Sequence, residues 1–393
     1  MSAAESVDDS ASRTAAAVLD VAPLLHALGT PQRVHLTGLP PTGRARQQAQ
    51  ELLSSVTGDD SLVVTPDAQG HSAAELIIGR RLNRAIPFPV GPVGPVDPAG
   101  PAGPAGVRAQ RVPREVETSD GSVLRCYVSG PRTGRPVLLV GACGMPVGLV
   151  GGWVRHLSRE HRVITWESRG LFGQLSDPGF DGRGQDLTAQ AGDVLSVLSA
   201  FDLDDVHLAG LCGGAAIALE AAGHSARVRS VSLWHGDYEL GGDAAKTPHQ
   251  HDMQALLVQA GRSREKAGAL QRLFRRPSTL AALRDDIAHH LYYPYATAEL
   301  LYRYGRLNGA IMTTDCRPLL ARVTQPTLVV TGPDDHTAHP DGSRYVSAHL
   351  RRARLVELAH HDHLAAFDAG PQILSLADDF LASDTPAAER SSR

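Results

Sequence analysis

The sequence predicts an α/β fold, a mostly parallel sheet with helices on both faces. Three observations carry this. Beyond residue 111, short runs rich in Val, Leu and Ile alternate with longer segments of helical spacing, the order a parallel sheet requires. The run Val206–Ala209 enters a glycine-rich turn that opens directly into a helical segment, Ala215–Ala222. Apolar residues make up 42% and charged residues 20% of 393 residues, enough for a large core. At roughly 100–200 residues per domain, this is one large domain with an appendage, or two domains.

The elements follow in order. Residues 1–13, rich in Ser, Asp and Ala, are expected to be disordered. A small α/β module over 14–85 is expected next: a helix over 14–28, a strand at Arg33–Leu36, a helix at Arg44–Ser55, a strand at Leu62–Thr65 and a helix at Ser72–Leu82. A linker spans 86–110; seven prolines and five glycines fall between Pro87 and Gly106, a composition for a semi-extended connection. The main domain covers 111–384. A hairpin at Val116–Thr118 and Val123–Val128 leads to a buried strand at Val137–Val140, and further strands are expected at Val163–Trp166, Val206–Ala209, Val228–Trp234, Thr327–Val330 and Arg354–Leu358. Residues 236–320 read as a mostly helical insertion, and 385–393 as a disordered tail.

Composition excludes several classes. The net charge is −4, without the basic excess of an electrostatic nucleic-acid binder. The four cysteines, Cys126, Cys143, Cys212 and Cys316, form no CxxC pair and no disulfide framework. No secretory signal is readable at the N-terminus. The uncharged run 136–154 approaches the length of a membrane span, but its glycines and prolines suit a buried strand and a loop better. The expectation is a cytoplasmic, reduced protein that does not enter a membrane. Two motifs in the small module mislead. Gly38 to Gly43 has phosphate-loop spacing but lacks the Lys and Ser/Thr that would reach phosphate and magnesium. Ser61, after Gly58-Asp-Asp, resembles a phosphopantetheine attachment serine, but the strand-like Leu62–Thr65 follows it where a helix should begin.

The strongest signal is Gly210-Leu-Cys212-Gly213-Gly214 between a strand and a helix. It resembles the nucleophile elbow of the α/β-hydrolase fold, with Cys for the usual Ser. A nucleophile on so tight a turn leaves no room for side chains two residues to either side, hence the glycines. A helix N-terminus beside the sulfur favours thiolate. The resemblance, which covers about residues 111–384, implies an order of nucleophile, acid, base. Asp335, in Gly332-Pro-Asp-Asp335, is chosen as the acid over Asp334. His363, in His360-His361-Asp362-His363, is chosen as the base, with His360 and His361 as competitors. Consecutive loop residues rarely build a tetrahedral metal site, so no metal is expected. The oxyanion donors would be the N–H of Gly213 and, from the loop Gly141 to Pro146, that of Met145, with Ala142 as the alternative. Glu167 and Ser168 depart from the family's D-x-R-G-x-G turn at Glu167-Ser-Arg169-Gly170-Leu-Phe-Gly173.

A Cys nucleophile forms a thioester, and exchange of an acyl group between thiols is nearly isoenergetic, so the elbow leans toward acyl transfer. With its N-terminal extension, the chain is similar to the aminoacyltransferases of syringomycin and coronamic acid biosynthesis, Cys-elbow members that shuttle an aminoacyl unit between carrier proteins of nonribosomal peptide pathways. That likeness implies acyl or peptidyl carrier proteins as partners, with phosphopantetheine arriving on the carrier and no cofactor of the chain's own. In the insertion, Arg262, Arg264, Arg272, Arg275 and Arg276 could dock an acidic carrier. Tyr292, Tyr293, Tyr295, Tyr302 and Tyr304, five tyrosines within 13 residues, could line a substrate channel, the first three chosen as its candidates. A Cys-dependent thioesterase and a non-catalytic binding protein are the alternatives.

Overall fold

A computed structural model describes residues 3–29, 31–40, 43–85, 112–278 and 283–383. The linker expected at 86–110 and the tail at 385–393 lie outside them. The chain forms two compact units, Met1–Val112 with Ala267–Leu301, and Pro113–Lys266 with Tyr302–Arg393.

In the first unit, strands β1 (Gln32–His35) and β2 (Leu62–Thr65) pair in parallel, with Val34 opposite Val64. The helix Arg44–Thr57 makes the crossover that two parallel strands need. It ends at Gly58, whose φ of 77° is left-handed backbone that favours glycine. Ile77, Ile78 and Leu82 of the helix Ala73–Ala85 are buried with Val34 and Leu36 as this unit's core. Ser61 approaches β2 rather than a helix, as the strand-like residues after it predict. Two expectations need correction. The first helix runs Ala3–Leu28, so residues 3–13 extend it rather than being disordered. The insertion 236–320 is not one body, because Ala267–Leu301 packs with the N-terminal module. Its partner is set by contacts distant in sequence, which local periodicity does not report.

The second unit is built on an eight-stranded sheet in the order β10-β9-β8-β7-β5-β6-β4-β3. The strands are β3 (Arg114–Glu117), β4 (Val123–Ser129), β5 (Pro136–Val140), β6 (Arg162–Trp166), β7 (Val206–Leu211), β8 (Val228–Trp234), β9 (Thr327–Thr331) and β10 (Ala353–Glu357). β4 lies antiparallel to both β3 and β6, and all other pairs are parallel. β7 is buried along its whole length, as its mostly apolar residues predict, and its one imidazole, His207, lies 2.9 Å from both Ser230 Oγ and Ser232 Oγ. The run 136–154 resolves into β5, a turn and the start of the helix Gly151–Leu157. No helix among the described residues is long and apolar enough to cross a membrane.

β5 has β6 on one side and β7 on the other, so the chain reverses its direction of progress across the sheet there. Loops leaving the C-terminal ends of such neighbours diverge and open a crevice. Its floor is rigid. Trp153 and Trp234, both fully buried, meet edge to face with centroids 4.9 Å apart. The buried Arg169 donates to Asp193 (2.9 Å), Asp120 (2.6 Å) and the Gly184 carbonyl (2.7 Å), fixing the turn after β6.

Candidate active site

Five loops leave the C-terminal ends of β5, β7, β8, β9 and β10, and each supplies part of one polar cluster. The β7 loop is shaped by its glycines. A Cβ on Gly210 would lie 2.7 Å from Ala215 Cα, and one on Gly214 would lie 2.3 Å from the Val140 carbonyl oxygen. Between them Cys212 adopts a φ of 53°, strained for a residue with a side chain. Its N–H donates to the Trp234 carbonyl (3.1 Å), and its carbonyl accepts from Ala215 (3.0 Å) and Asp237 (3.3 Å). The helix Gly214–His224 starts immediately beyond Gly213.

Asp335 and His363 are buried together, with His363 Nδ1 2.9 Å from Asp335 Oδ2. Asp335 Oδ1 accepts the N–H groups of Thr337 (2.9 Å) and Ala338 (2.8 Å). Burial alone would raise the Asp335 carboxyl, but its bonds from His235 and His363 hold it well below the usual carboxylate range. Burial would likewise lower the His363 imidazole; Cys212, as charge and hydrogen-bond partner, and Asp335 outweigh burial and hold it well above the usual range. With Nδ1 facing Asp335, Nε2 is the nitrogen left for Cys212. The competitors sit elsewhere. Asp334 is exposed and lies 3.8 Å from the exposed His360, while His361 Nδ1 faces the Ala359 carbonyl.

The β5 loop alters one expectation. The Met145 N–H donates to the Ala142 carbonyl at 3.1 Å, closing a tight turn, so it is engaged as the loop stands. Gly144 donates to Ser168 Oγ at 2.9 Å, so Ser168, which departs from the family turn, holds this loop in place. Among the described residues, no hydrogen bond engages the N–H of Ala142 or of Gly213. These two N–H groups are therefore free to donate, where that of Met145 is not.

Several residues at the site were not anticipated. The first is His235, directly after β8, whose Nδ1 lies 2.9 Å from the same Oδ2 of Asp335. His235, Asp335 and His363 bring their donor atoms within 4.8 Å of one another, with both imidazole Nδ1 atoms aimed at one carboxylate oxygen as in a hydrogen-bonded cluster. Asp237 is another; its Oδ1 accepts from Gln250 (2.6 Å), and burial pushes its carboxyl up. From the helix Ala298–Thr313, the Tyr304 ring packs against Gly144, where an added Cβ would come within 2.6 Å of it. One turn on, Asn308 donates to Tyr304 Oη (3.0 Å) and its Oδ1 sits over Gly213. The only trace of this face in the sequence was the tyrosine-rich stretch.

The remaining expected residues fall differently. Tyr292, Tyr293 and Tyr295 lie in the first unit and serve its packing: Tyr292 Oη donates to the Phe274 carbonyl (3.2 Å), Tyr293 is buried, and the Tyr295 ring lies 4.6 Å from that of Phe274. The basic run is exposed but divided. Arg262 and Arg264 belong to the second unit and Arg272, Arg275 and Arg276 to the first. Arg264 pairs with Asp181 (2.8 Å) and lies over the Tyr302 ring (4.3 Å).

A family model for the alpha/beta hydrolase fold matches residues 136–370. A curated relative, "Putative carbamate hydrolase RutD" of Serratia proteamaculans, is 27% identical over 216 residues, 53% of this chain and 77% of that protein. A protein of the same name from Azorhizobium caulinodans is 26% identical over 60% of this chain and 86% of its own length. Among solved structures, an enol-lactonase from Burkholderia xenovorans superposes with a TM-score of 0.53 at 20% identity, covering 68% of this chain and all of that one. A thermophilic esterase from Thermogutta terrifontis gives 0.53 at 18% identity, covering 70% and 99%.

Proposed function

The chain belongs to the α/β-hydrolase family, and from that premise we propose that it is an acyltransferase, moving an aminoacyl or acyl group between carrier-protein pantetheine thiols through a thioester on Cys212. The observation that carries this reading is a cysteine at the elbow beside a buried His363–Asp335 pair. His363 Nε2 takes the Cys212 proton, and the thiolate attacks the carbonyl carbon of the incoming thioester. The oxyanion is held by the N–H groups of Gly213 and Ala142, with Met145 available only if its turn opens. The tetrahedral adduct collapses, the C–S bond to the donor breaks, and His363 returns the proton to the departing thiol. A second carrier thiol then repeats the steps in reverse order. Both half-reactions exchange one thioester for another, so neither needs an external energy source.

The phosphopantetheine belongs to the partner carrier, an acyl or peptidyl carrier protein, and the chain needs no cofactor of its own. A free reactive thiol suits a reducing compartment, and we place the protein in the cytoplasm on that ground. Relatives named carbamate hydrolases favour a second reading, hydrolysis with water as the acceptor; on an acyl thioester that activity is a thioesterase.

Intact-protein mass spectrometry with a panel of acyl and aminoacyl thioesters on pantetheine and on carrier protein tests the reading. The expected result is a covalent adduct that requires Cys212 and moves to a second carrier faster than it hydrolyses. Loss mainly to water would establish the thioesterase, and no adduct from any donor would overturn the catalytic reading.

A further inference from the structure

Asp335 serves two imidazoles, and the reaction as described uses one. His235 is fully buried at a φ of 47°, and its N–H donates to the Val330 carbonyl at 2.8 Å. Its Nδ1 lies 2.9 Å from Asp335 Oδ2, the distance at which His363 Nδ1 meets the same oxygen. Its Nε2 is buried and has no partner among the described residues. An ionised carboxylate only accepts hydrogen bonds, so each Nδ1 facing it must carry its proton. The neutral Nδ1–H tautomer of His235 therefore leaves Nε2 as an unsatisfied acceptor. An orphaned ring nitrogen in a strained, fully buried residue is a destabilising arrangement, which points to a use at the site.

We propose that His235 is a positioning residue for acyl transfer: its Nδ1–H holds Asp335 Oδ2 in line with His363 and draws off part of that oxygen's charge, keeping the His363 imidazolium acidic enough to return its proton to a thiol. The inference rests on the reading of Cys212 as the nucleophile. Thiol exchange asks for a proton that moves both ways between sulfur and imidazole with little change in free energy. Thiols ionise near pH ~8.5. A carboxylate devoted to one imidazole would stabilise the imidazolium too strongly for easy return, and a second donor on that oxygen tempers it. The charged and titratable groups around the pair are Asp335, His363 and Cys212, with Asp237 and His249 beyond His363.

The test measures the pH dependence of Cys212 alkylation by iodoacetamide, together with transfer rates, in the full chain. His235→Phe keeps a ring and removes the donor. His235→Asn removes the ring and keeps an N–H near the position of Nδ1. For His235→Phe, the alkaline limb, where the imidazolium loses its proton, is expected to move up by about one pH unit, and transfer to fall about 10- to 100-fold, as losing a hydrogen bond to a charged group implies. His235→Asn is expected to keep the wild-type limb and transfer within about threefold, the span of half a kcal/mol or so. An unmoved limb in His235→Phe, or an equal change in both variants, would overturn the proposal, the second outcome assigning His235 to packing. Should His235→Phe not fold, a wild-type limb in His235→Asn supports the proposal and a displaced one overturns it. A wild-type Cys212 that alkylates like a free thiol, with one limb near the ordinary thiol value of about 8.5, would remove the underlying reading of the nucleophile and the proposal with it.

Discussion

The two units carry the same local construction, parallel strands joined through helices, and among the described residues the second gathers the buried His235–Asp335–His363 cluster. Among the described residues of the first unit, β1 and β2 pair with each other and no third strand reverses the chain's progress. In the second, the chain's progress reverses at β5, between β6 and β7, and the loops beyond these strands diverge around a crevice. Two buried groups show how differently single side chains are served. In the second unit Asp335 accepts four hydrogen bonds. In the first, His289 is buried against His290 with centroids 3.9 Å apart, and neither of its ring nitrogens has a partner among the described residues. A parallel pair of strands makes a core; a reversal in strand order makes a place for chemistry.

The largest expected effect sharpens this contrast at the cluster. Asp335→Asn cannot serve as an ionised acceptor for two imidazoles, and transfer should fall about 10⁴-fold, the scale seen when a triad acid loses its charge. Cys212→Ala should abolish the covalent adduct altogether. Mass spectrometry and steady-state kinetics read both, and circular dichroism should show the folded state unchanged.

Glycines give the next comparison. A Cβ on Gly214 would strike backbone oxygens at 2.3 and 2.5 Å, so Gly214→Ala should destabilise the protein by about 3 kcal/mol in urea unfolding. Gly79, in the first unit, would place its Cβ no nearer than 3.6 Å to the His35 carbonyl oxygen. That is ordinary contact. Replacing it by alanine inside a helix should stabilise by about 0.5–1 kcal/mol, the smallest effect named here.

Between these lie two pH effects of opposite sign. Burial raises the Glu167 carboxyl from 4.5 to about 7 despite Arg125 at 3.1 Å. The folded protein then holds a proton that the unfolded chain gives up, so stability falls as pH rises from about 4.5 through 7. Glu167→Gln should flatten that slope and stabilise at pH 8 by up to about 3 kcal/mol. Burial lowers His289 from 6.5 to about 4, so here the unfolded chain binds the proton and stability falls as pH drops across that window. His289→Phe should flatten the acid limb. Melting temperatures across pH 4–9 test both variants, and parallel curves for wild type and variant would refute either assignment.

Most of the second unit was legible in the sequence because short runs rich in Val, Leu and Ile alternate there with helical segments, and its elbow has a spacing that sterics dictate. Cys212, Asp335 and His363 could be chosen by chain order alone. His235, Asp237 and Asn308 could not, and Tyr304 was marked only as one of a tyrosine-rich stretch. The first two follow a strand with no spacing that marks them, and the others sit on a helix face whose direction depends on packing. The engagement of the Met145 N–H was likewise hidden, since a turn's internal bond depends on its dihedral angles and not on residue type. The partner of Ala267–Leu301 was invisible for a related reason: amphipathic spacing shows that a helix is covered, not by what.

The elbow is tied at both of its backbone groups, N–H to β8 and carbonyl to Ala215 and Asp237. Cys212 therefore rides on the sheet as a stationary mooring. Its amide should be among the slowest in the chain to exchange with deuterated solvent. An acyl group parked on the sulfur would wait at a fixed address while the side chains around it rearrange, so any lag between loading and unloading belongs to the surroundings and the carriers, not to the nucleophile's own backbone.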